Sequence, residues 1–182
     1  PYVRAAADRV AKWEALLARN AKPIIGLTWT GNRDNRRLRH RSIELARLLP
    51  LLSAPGVCFV SLQKDMADGE AGILGGLPEV MHLGHRLDDF ADTAAAVSLL
   101  DLVITIDTSI AHLDGALGTP VWVLLSFAQD WRWLLEREDS PWYPSARLFR
   151  QARRGDWDGV VGRVRMELQK KIPHRSSRRG IV

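Results

Sequence analysis

Residues 102–125 read LVITIDTSIAHLDGALGTPVWVLL, and this segment decides the predicted fold. Two near-continuous runs of Val, Ile and Leu enclose a polar turn and a short helical stretch that Gly118 is expected to end. Such runs are typical of parallel strands covered on both faces. The segment therefore predicts a strand, a helix and a second parallel strand.

The polar turn places Asp107, Thr108 and Ser109 where the first strand ends and the helix begins. Free backbone N–H groups and the positive end of the helix dipole favour an anion there, and phosphate is a common one. Helix capping by Asp107 or Thr108 is the simpler interpretation, but a cap uses only some of the four free N–H groups. His112 follows Thr108 by four residues and is expected on the same helical face. The turn predicts a ligand that carries phosphate.

A basic segment after an earlier predicted strand, residues 23–29, offers a second contact for an anion. Five arginines fall within nine residues: Arg33, Arg36, Arg37, Arg39 and Arg41. Arg41 is nearest to the next predicted helix, which Ser42 is expected to cap, and its planar fork of donors suits a diphosphate. Thr30 and Gly31 lie where the strand ends, and Gly31 would let a ligand approach the backbone closely. A solvated charged loop is the alternative.

Strands and helices alternate along the chain about six times, which predicts an α/β, Rossmann-like open parallel sheet with helices on both faces. Ligands of such sheets bind at the carboxyl ends of the strands. Three loops are expected to meet there, at residues 28–42, 82–90 and 107–112. We divide the chain into a leading helix or linker at 1–22, the sheet domain at 23–172 and a disordered basic tail at 173–182.

Composition narrows the class of protein. The 182 residues are 46% hydrophobic and 26% charged, as in ordinary globular proteins. The net charge of +5 favours anionic partners. No apolar run is long enough for a membrane span. The lone Cys58 has no intrachain partner, which fits a reducing cytoplasm and equally a chain that needs no disulfide; we expect a cytoplasmic location. Because the first residue is proline, we expect a piece of a longer protein.

Several motifs that define other classes do not occur in the sequence. It has no G-x-G-x-x-G after a strand, no P-loop, no nucleophile elbow and no zinc-ligand spacing, which argues against a dehydrogenase or an ATPase. Asp156 and Asp158 have the Asp-x-Asp spacing of some metal sites, but their position at the start of a helix predicts a helix cap. Four aromatic residues are expected to pack in the core rather than stack on a ligand: Trp131, Trp133, Trp142 and Tyr143.

The run DLVITIDTSIAHLDGALGTPVWVLL resembles the nucleotide-sugar-binding half of family 9 glycosyltransferases, the heptosyltransferase-like proteins. The segments GLTWTGN, RSIELARL, FVSLQKD and DWRWLLEREDSPWYPSARLFRQ fit one subgroup of them. In that bacterial subgroup the transferase domain follows tetratricopeptide repeats, a layout similar to that of O-GlcNAc transferases.

This resemblance implies one half of a GT-B fold that holds a nucleotide-sugar donor without a metal or other cofactor. The residues implied at the donor diphosphate and sugar are Thr30, Arg41, Asp107, Thr108, Ser109 and His112. Those implied on the base and ribose side are Gln63, His82, Leu83 and Gly84. Arg41 stands near where heptosyltransferases place a lysine, a departure that puts donor preference and activity in question. The catalytic base is expected in an N-terminal transferase domain, and the acceptor, protein or glycan, is unknown.

Three functions stay open on the sequence. The leading hypothesis is a donor-binding domain that gives little or no sugar transfer by itself. The second is a scaffold or interaction module, a degenerate transferase with an empty site. The third, which we rank last, is nucleic-acid binding through the basic loop and the arginines of the tail.

Overall fold

Six parallel strands form one sheet in a computed structural model, in the order β3-β2-β1-β4-β5-β6. The strands are β1 Ile24–Leu27, β2 Cys58–Ser61, β3 Val80–His82, β4 Leu102–Ile106, β5 Val121–Leu125 and β6 Ala146–Arg150. The structure describes residues 1–17, 22–32 and 36–172, without the side chains of 36–38. The predicted tail, and Arg33 of the basic segment, lie outside the described residues.

Helices cover both faces of this sheet, as predicted. They are α1 Ala7–Leu17, α2 Leu45–Leu52, α3 Glu70–Gly75, α4 Phe90–Val97, α5 Ser109–Leu117 and α6 Trp157–Lys171. Apolar residues of α2, α3 and α6 pack on one face, and those of α1, α4 and α5 on the other. The predicted fold class, a Rossmann-like open parallel sheet, is confirmed.

The strand order reverses beside β1, and this reversal positions the site. The chain runs outward from β1 through β2 to β3, then crosses back to lay β4 on the other side of β1. At such a switch point the loops after the two central strands diverge and leave a crevice at the carboxyl edge. The loops after β1 and β4 are those that carry Thr30 and Asp107.

Predicted helix ends were right at two positions and wrong at one. Gly118 ends α5 in the left-handed conformation at φ 77°, and the Asp156 side chain caps α6 by accepting the Gly159 N–H at 3.1 Å. Ser42 does not cap α2, which begins at Leu45. The Ile43 N–H donates to the Trp29 carbonyl at 2.8 Å and Ile43 is buried, so this stretch stays extended past Ser42.

The leading helix α1 packs against α4 and buries Trp13 and Leu17. The proposed boundary between residues 22 and 23 stays a prediction. Among residues 1–17, 22–32 and 36–172, none of the helices combines the length and the apolar character needed to cross a bilayer.

Candidate functional site

A cavity of about 350 Å³ opens at the carboxyl edge of the sheet. Its walls come from residues 28–32 after β1, 62–65 after β2, 87–93 before and within α4, and 108–110 at the start of α5. All three loops predicted to meet at this edge contribute to it. A larger hollow of about 480 Å³ lies at the opposite edge, beside Pro1 and Pro120, and none of the predicted site residues lines it.

The start of α5 forms one wall of the cavity. Thr108 precedes the helix in an extended conformation, φ −137° and ψ 177°, and its side chain makes no capping hydrogen bond within the described residues. The first N–H groups of a helix have no partner inside it. Because Ser109 and Ile110 both line the cavity, this wall is positively polarised.

Hydroxyl groups line the junction between β1 and β4. The Thr105 hydroxyl lies 2.5 Å from the Thr28 hydroxyl and 3.4 Å from that of Thr108. The Thr30 hydroxyl lies 3.0 Å from the Ser42 hydroxyl. Thr28, Thr30 and Thr108 also line the cavity, so donors and acceptors stand beside the polarised end of α5.

Gln63 reaches the cavity, but its side chain is already bonded. Its Oε1 accepts the backbone N–H groups of Trp29 and Thr30, each at 3.1 Å, and its Nε2 donates to the Asp65 carbonyl at 3.2 Å. These bonds tie the end of β1 to the loop after β2. Gln63 is buried as well, so it shapes the wall and offers little surface to a ligand.

Arg41 and Asp107 form an ion pair. The Arg41 Nη1 lies 2.7 Å from the Asp107 Oδ2, and the Asp107 side chain is only 6% exposed. Neither residue lines the cavity itself, although Thr108, the neighbour of Asp107, does, and Ser42, the neighbour of Arg41, lies within hydrogen-bond distance of the lining residue Thr30. The Arg41 Nε is buried and has no hydrogen-bond partner among the described residues. Two residues that were each predicted to contact the donor diphosphate therefore contact each other.

His112 belongs to an aromatic cluster. Its Nδ1 lies 3.0 Å from the Tyr143 hydroxyl, and its ring stacks on Trp133 at 5.3 Å between centroids and 16° between planes. Burial lowers the pKa of His112, although the nearby Asp107 carboxylate works in the opposite direction. Burial, and to a smaller extent a hydrogen bond with Tyr2, raises the pKa of Tyr143 to about 12. At neutral pH both groups are therefore uncharged.

The prediction that the aromatic residues pack in the core is right for one tryptophan and wrong for two others. Trp133 is fully buried, whereas Trp131 is 69% and Trp142 55% exposed. The Trp142 Nε1 donates to the Arg132 carbonyl at 3.0 Å, which holds its ring against the turn instead of inside the core. The sequence pattern gives no sign of this difference, since all three residues occur in one polar segment.

The segment His82–Gly84 packs against the end of β2 and does not line the cavity. The His82 Nδ1 lies 3.1 Å from the Ser61 Oγ, and the Leu83 N–H donates to the Ser61 carbonyl at 2.9 Å. A side chain at Gly84 would place its Cβ 1.8 Å from the Gln63 carbonyl oxygen, so only glycine fits. The cavity wall on this side is formed by residues 87–90, further along the same predicted loop.

Sequence reasoning missed Phe90, the first residue of α4. Phe90 lines the cavity with 57% of its surface exposed, and Asp88 and Asp89 precede it on the same wall. An aromatic residue after two carboxylates in a loop at the strand ends is the signal that could have found it. In the part of the chain that the structure describes, no group of three or more His, Cys, Asp or Glu side chains is placed to hold a metal ion.

Comparison with solved structures identifies the class of fold. The E. coli ADP-heptose LPS heptosyltransferase II matches with a TM-score of 0.60 at 20% identity, over 93% of this chain and 53% of that one. The E. coli heptosyltransferase WaaC with ADP matches with a TM-score of 0.63 at 15% identity, and a family 9 glycosyl transferase from Veillonella parvula with a TM-score of 0.60 at 12% identity. Each of these two matches covers 93% of this chain and 51% of the other. The fold is therefore heptosyltransferase-like, and it corresponds to about half of each of these solved chains.

One relative has a higher sequence identity to this chain than these solved structures have. Protein FlbA of Caulobacter vibrioides is 36% identical in an alignment of 169 residues that covers 88% of this chain and 28% of that protein. No family model matches the chain. The chain thus spans just over a quarter of this relative and about half of each solved structure. The scaffold implied by the resemblance is confirmed, and the link to tetratricopeptide repeats stays a prediction.

Proposed function

We propose that this chain is the nucleotide-sugar donor-binding half of a metal-independent glycosyltransferase. The observation that carries the proposal is the open start of α5, which presents Thr108, Ser109 and Ile110 to a cavity of about 350 Å³ in a heptosyltransferase-like sheet. That volume lies in the range of small-ligand sites, which run from about 300 to 1,000 Å³.

The chemistry of transfer fits this wall. When a glycosidic bond to the donor sugar breaks, negative charge grows on the departing nucleoside diphosphate. Backbone N–H groups at the start of α5 and the Arg41 guanidinium stabilise that charge without a metal ion, because they are oriented before the reaction. Thr30 and the Thr28–Thr105–Thr108 hydroxyls supply neutral hydrogen bonds nearby.

The remaining parts of the reaction belong to the proposal as well. An N-terminal transferase domain supplies the catalytic base and part of the acceptor site, and tetratricopeptide repeats precede it. This chain alone then binds donor and transfers little or no sugar. Robust transfer by these 182 residues alone would show that the base lies within them.

Calorimetric titration with ADP, UDP, GDP and CDP, with and without EDTA, tests donor binding. We expect one diphosphate to bind and EDTA to leave its affinity unchanged. Arg41→Gln is the informative variant and Arg39→Gln the matched control, since Arg39 is an exposed arginine two residues away. Losing a charged hydrogen bond of about 1.5–3 kcal/mol weakens binding roughly tenfold to a hundredfold in the first and leaves the second unchanged.

A scaffold module is the second candidate, and the ion pair between Arg41 and Asp107 favours it. A guanidinium that already faces a carboxylate at 2.7 Å is partly neutralised. This candidate predicts no binding of any of the four diphosphates, by this chain or by the longer protein. Nucleic-acid binding stays untested, because the arginines of the tail lie outside the described residues; steep salt dependence of binding would support it.

A further inference from the structure

The turn that follows β5 touches two of the predicted site residues at once. Asp130 Oδ2 lies 3.7 Å from the Arg41 Nη2, and the Trp133 ring stacks on His112 at 5.3 Å. Arg41 comes from the loop after β1 and His112 from α5, so a single 3₁₀ turn, Trp131–Trp133 with Asp130 at its start, contacts side chains from two separate elements. No role for Asp130 was predicted from the sequence.

Asp130 is itself firmly held. Its Oδ1 accepts the Arg132 backbone N–H at 3.1 Å and the Arg132 Nη1 at 2.8 Å, and its side chain is 20% exposed. Burial works to raise the pKa of Asp130, but these hydrogen bonds and the charges of Arg132 and Arg41 outweigh it and lower the pKa. The carboxylate is therefore ionised and fixed in place at neutral pH.

Arg41 lies between two such carboxylates. Asp107 is 2.7 Å from its Nη1 on one side, and Asp130 is 3.7 Å from its Nη2 on the other. A distance of 3.7 Å is too long for a hydrogen bond, so the second contact is electrostatic. Because the guanidinium is a rigid plane, charges at both of its terminal nitrogens define the direction in which its remaining N–H groups point.

We infer that Asp130 is a positioning residue, which holds the Arg41 guanidinium in the orientation that meets the donor diphosphate. The inference rests on the proposed function. It makes the turn after β5 part of the donor site, although only its carboxylate and one ring reach the predicted residues.

Positioning and simple repulsion predict opposite results. If Asp130 acted only as a negative charge near an anion, its removal would strengthen diphosphate binding. If it orients Arg41, its removal weakens binding, and only while Arg41 is present. The sign of the effect and its dependence on Arg41 together identify the role.

A double-mutant cycle over Asp130→Asn and Arg41→Gln, titrated with ADP, UDP, GDP and CDP, measures both the sign of the Asp130 effect and its dependence on Arg41. Asparagine keeps an oxygen for the Arg132 N–H, and circular dichroism confirms the fold. We expect Asp130→Asn to weaken binding about fivefold to tenfold in the wild-type background and less than about twofold with Arg41→Gln, as for residues in contact. Asp130→Glu should restore part of the loss.

Tighter binding in Asp130→Asn, or an equal loss in both backgrounds, would overturn the inference while wild-type binding upholds the proposed function. Should Asp130→Asn fail to fold, the cycle is run with Asp130→Glu, which keeps the charge and moves it. An effect of Asp130→Glu that is the same with and without Arg41 would then overturn the inference. Absence of binding by the wild type overturns the proposed function and this inference with it.

Discussion

The two helix starts that face the cavity differ in charge. At α4, Asp89 caps the helix by accepting the Asp92 N–H at 2.8 Å, and Asp88 and Asp89 line the wall with the exposed Phe90. At α5, Thr108 makes no side-chain cap within the described residues, and its hydroxyl lies 3.4 Å from that of Thr105. One wall is acidic and aromatic, and the other is positively polarised and polar.

If the proposed nucleotide donor binds in this cavity, the difference between the walls gives it one direction. A diphosphate is attracted to the α5 wall and repelled by the carboxylates of the α4 wall, whereas a base can stack on Phe90. We therefore expect the phosphates beside Ser109 and the base beside Phe90.

Making the α5 wall resemble the α4 wall should have the largest effect. Thr108→Asp adds a capping carboxylate that occupies the free N–H groups and repels phosphate. We expect diphosphate affinity to fall by more than about 100-fold, since two charged hydrogen bonds, each of about 1.5–3 kcal/mol, are lost. The same cap should stabilise the protein by about 1 kcal/mol.

Calorimetry and thermal melting measure the two effects of Thr108→Asp together. Thr108→Ala is the control, because it removes the hydroxyl and leaves the N–H groups open. An unchanged affinity in Thr108→Asp would mean that the phosphates do not meet α5.

The α4 wall is tested by Phe90→Ala. Loss of one stacked base, at about 1–3 kcal/mol, should weaken nucleoside diphosphate binding roughly fivefold to a hundredfold and leave inorganic pyrophosphate binding unchanged. Phe127→Ala is the control, since Phe127 is 52% exposed and does not line the cavity. Equal losses for both ligands would place Phe90 near the phosphates and reverse the assigned direction.

His112 provides a pH-dependent test of the α5 wall. Burial lowers its pKa, so the free protein holds the imidazole neutral near pH 7. If a diphosphate lies close, its charge raises that pKa and binding takes up a proton, so affinity should fall a few-fold between about pH 6 and 8. Calorimetry in two buffers of different ionisation enthalpy measures the uptake. Persistence of the full uptake in His112→Gln would assign the proton to another group.

Ion pairs behind the α4 wall should affect stability in acid. Burial works to raise the pKa of Asp92, but hydrogen bonds and charges from Arg9 and Lys12 hold it below its usual range. The Asp92 N–H likewise lowers the pKa of Asp89. A lowered carboxyl pKa stabilises the fold above the ordinary value near 4, and this contribution is lost as the pH falls below it.

Arg9→Gln combined with Lys12→Gln should therefore lower stability at pH 7 and flatten its decline below about pH 4, as followed by urea unfolding. Lys22→Gln, which breaks one exposed pair with Glu79, is the control. A decline below pH 4 as steep as in the wild type would show that α1 does not set the charge of this wall.

Sequence reasoning reached the sheet and the carboxyl edge because both follow from local patterns. Near-continuous apolar strands, alternating helices and turns at strand ends are encoded within a few neighbouring residues. Contacts between distant segments are not. The pairing of Arg41 with Asp107 and the approach of Asp130 depend on the reversal beside β1, which no local pattern states. Ser42 was misjudged for the same reason, since a bond between Ile43 and distant Trp29 displaced the helix start.

The most direct test of donor binding at α5 removes one backbone N–H. Ser109 is the first residue of the helix, where proline is tolerated, and the extended Thr108 before it suits proline as well. Ser109→Pro deletes the N–H and the hydroxyl, whereas Ser109→Ala deletes the hydroxyl alone. We predict a nucleoside diphosphate affinity about 10- to 100-fold weaker in Ser109→Pro than in Ser109→Ala, as expected for one charged hydrogen bond. Equal affinities in the two variants would contradict the assignment of the donor diphosphate to this helix.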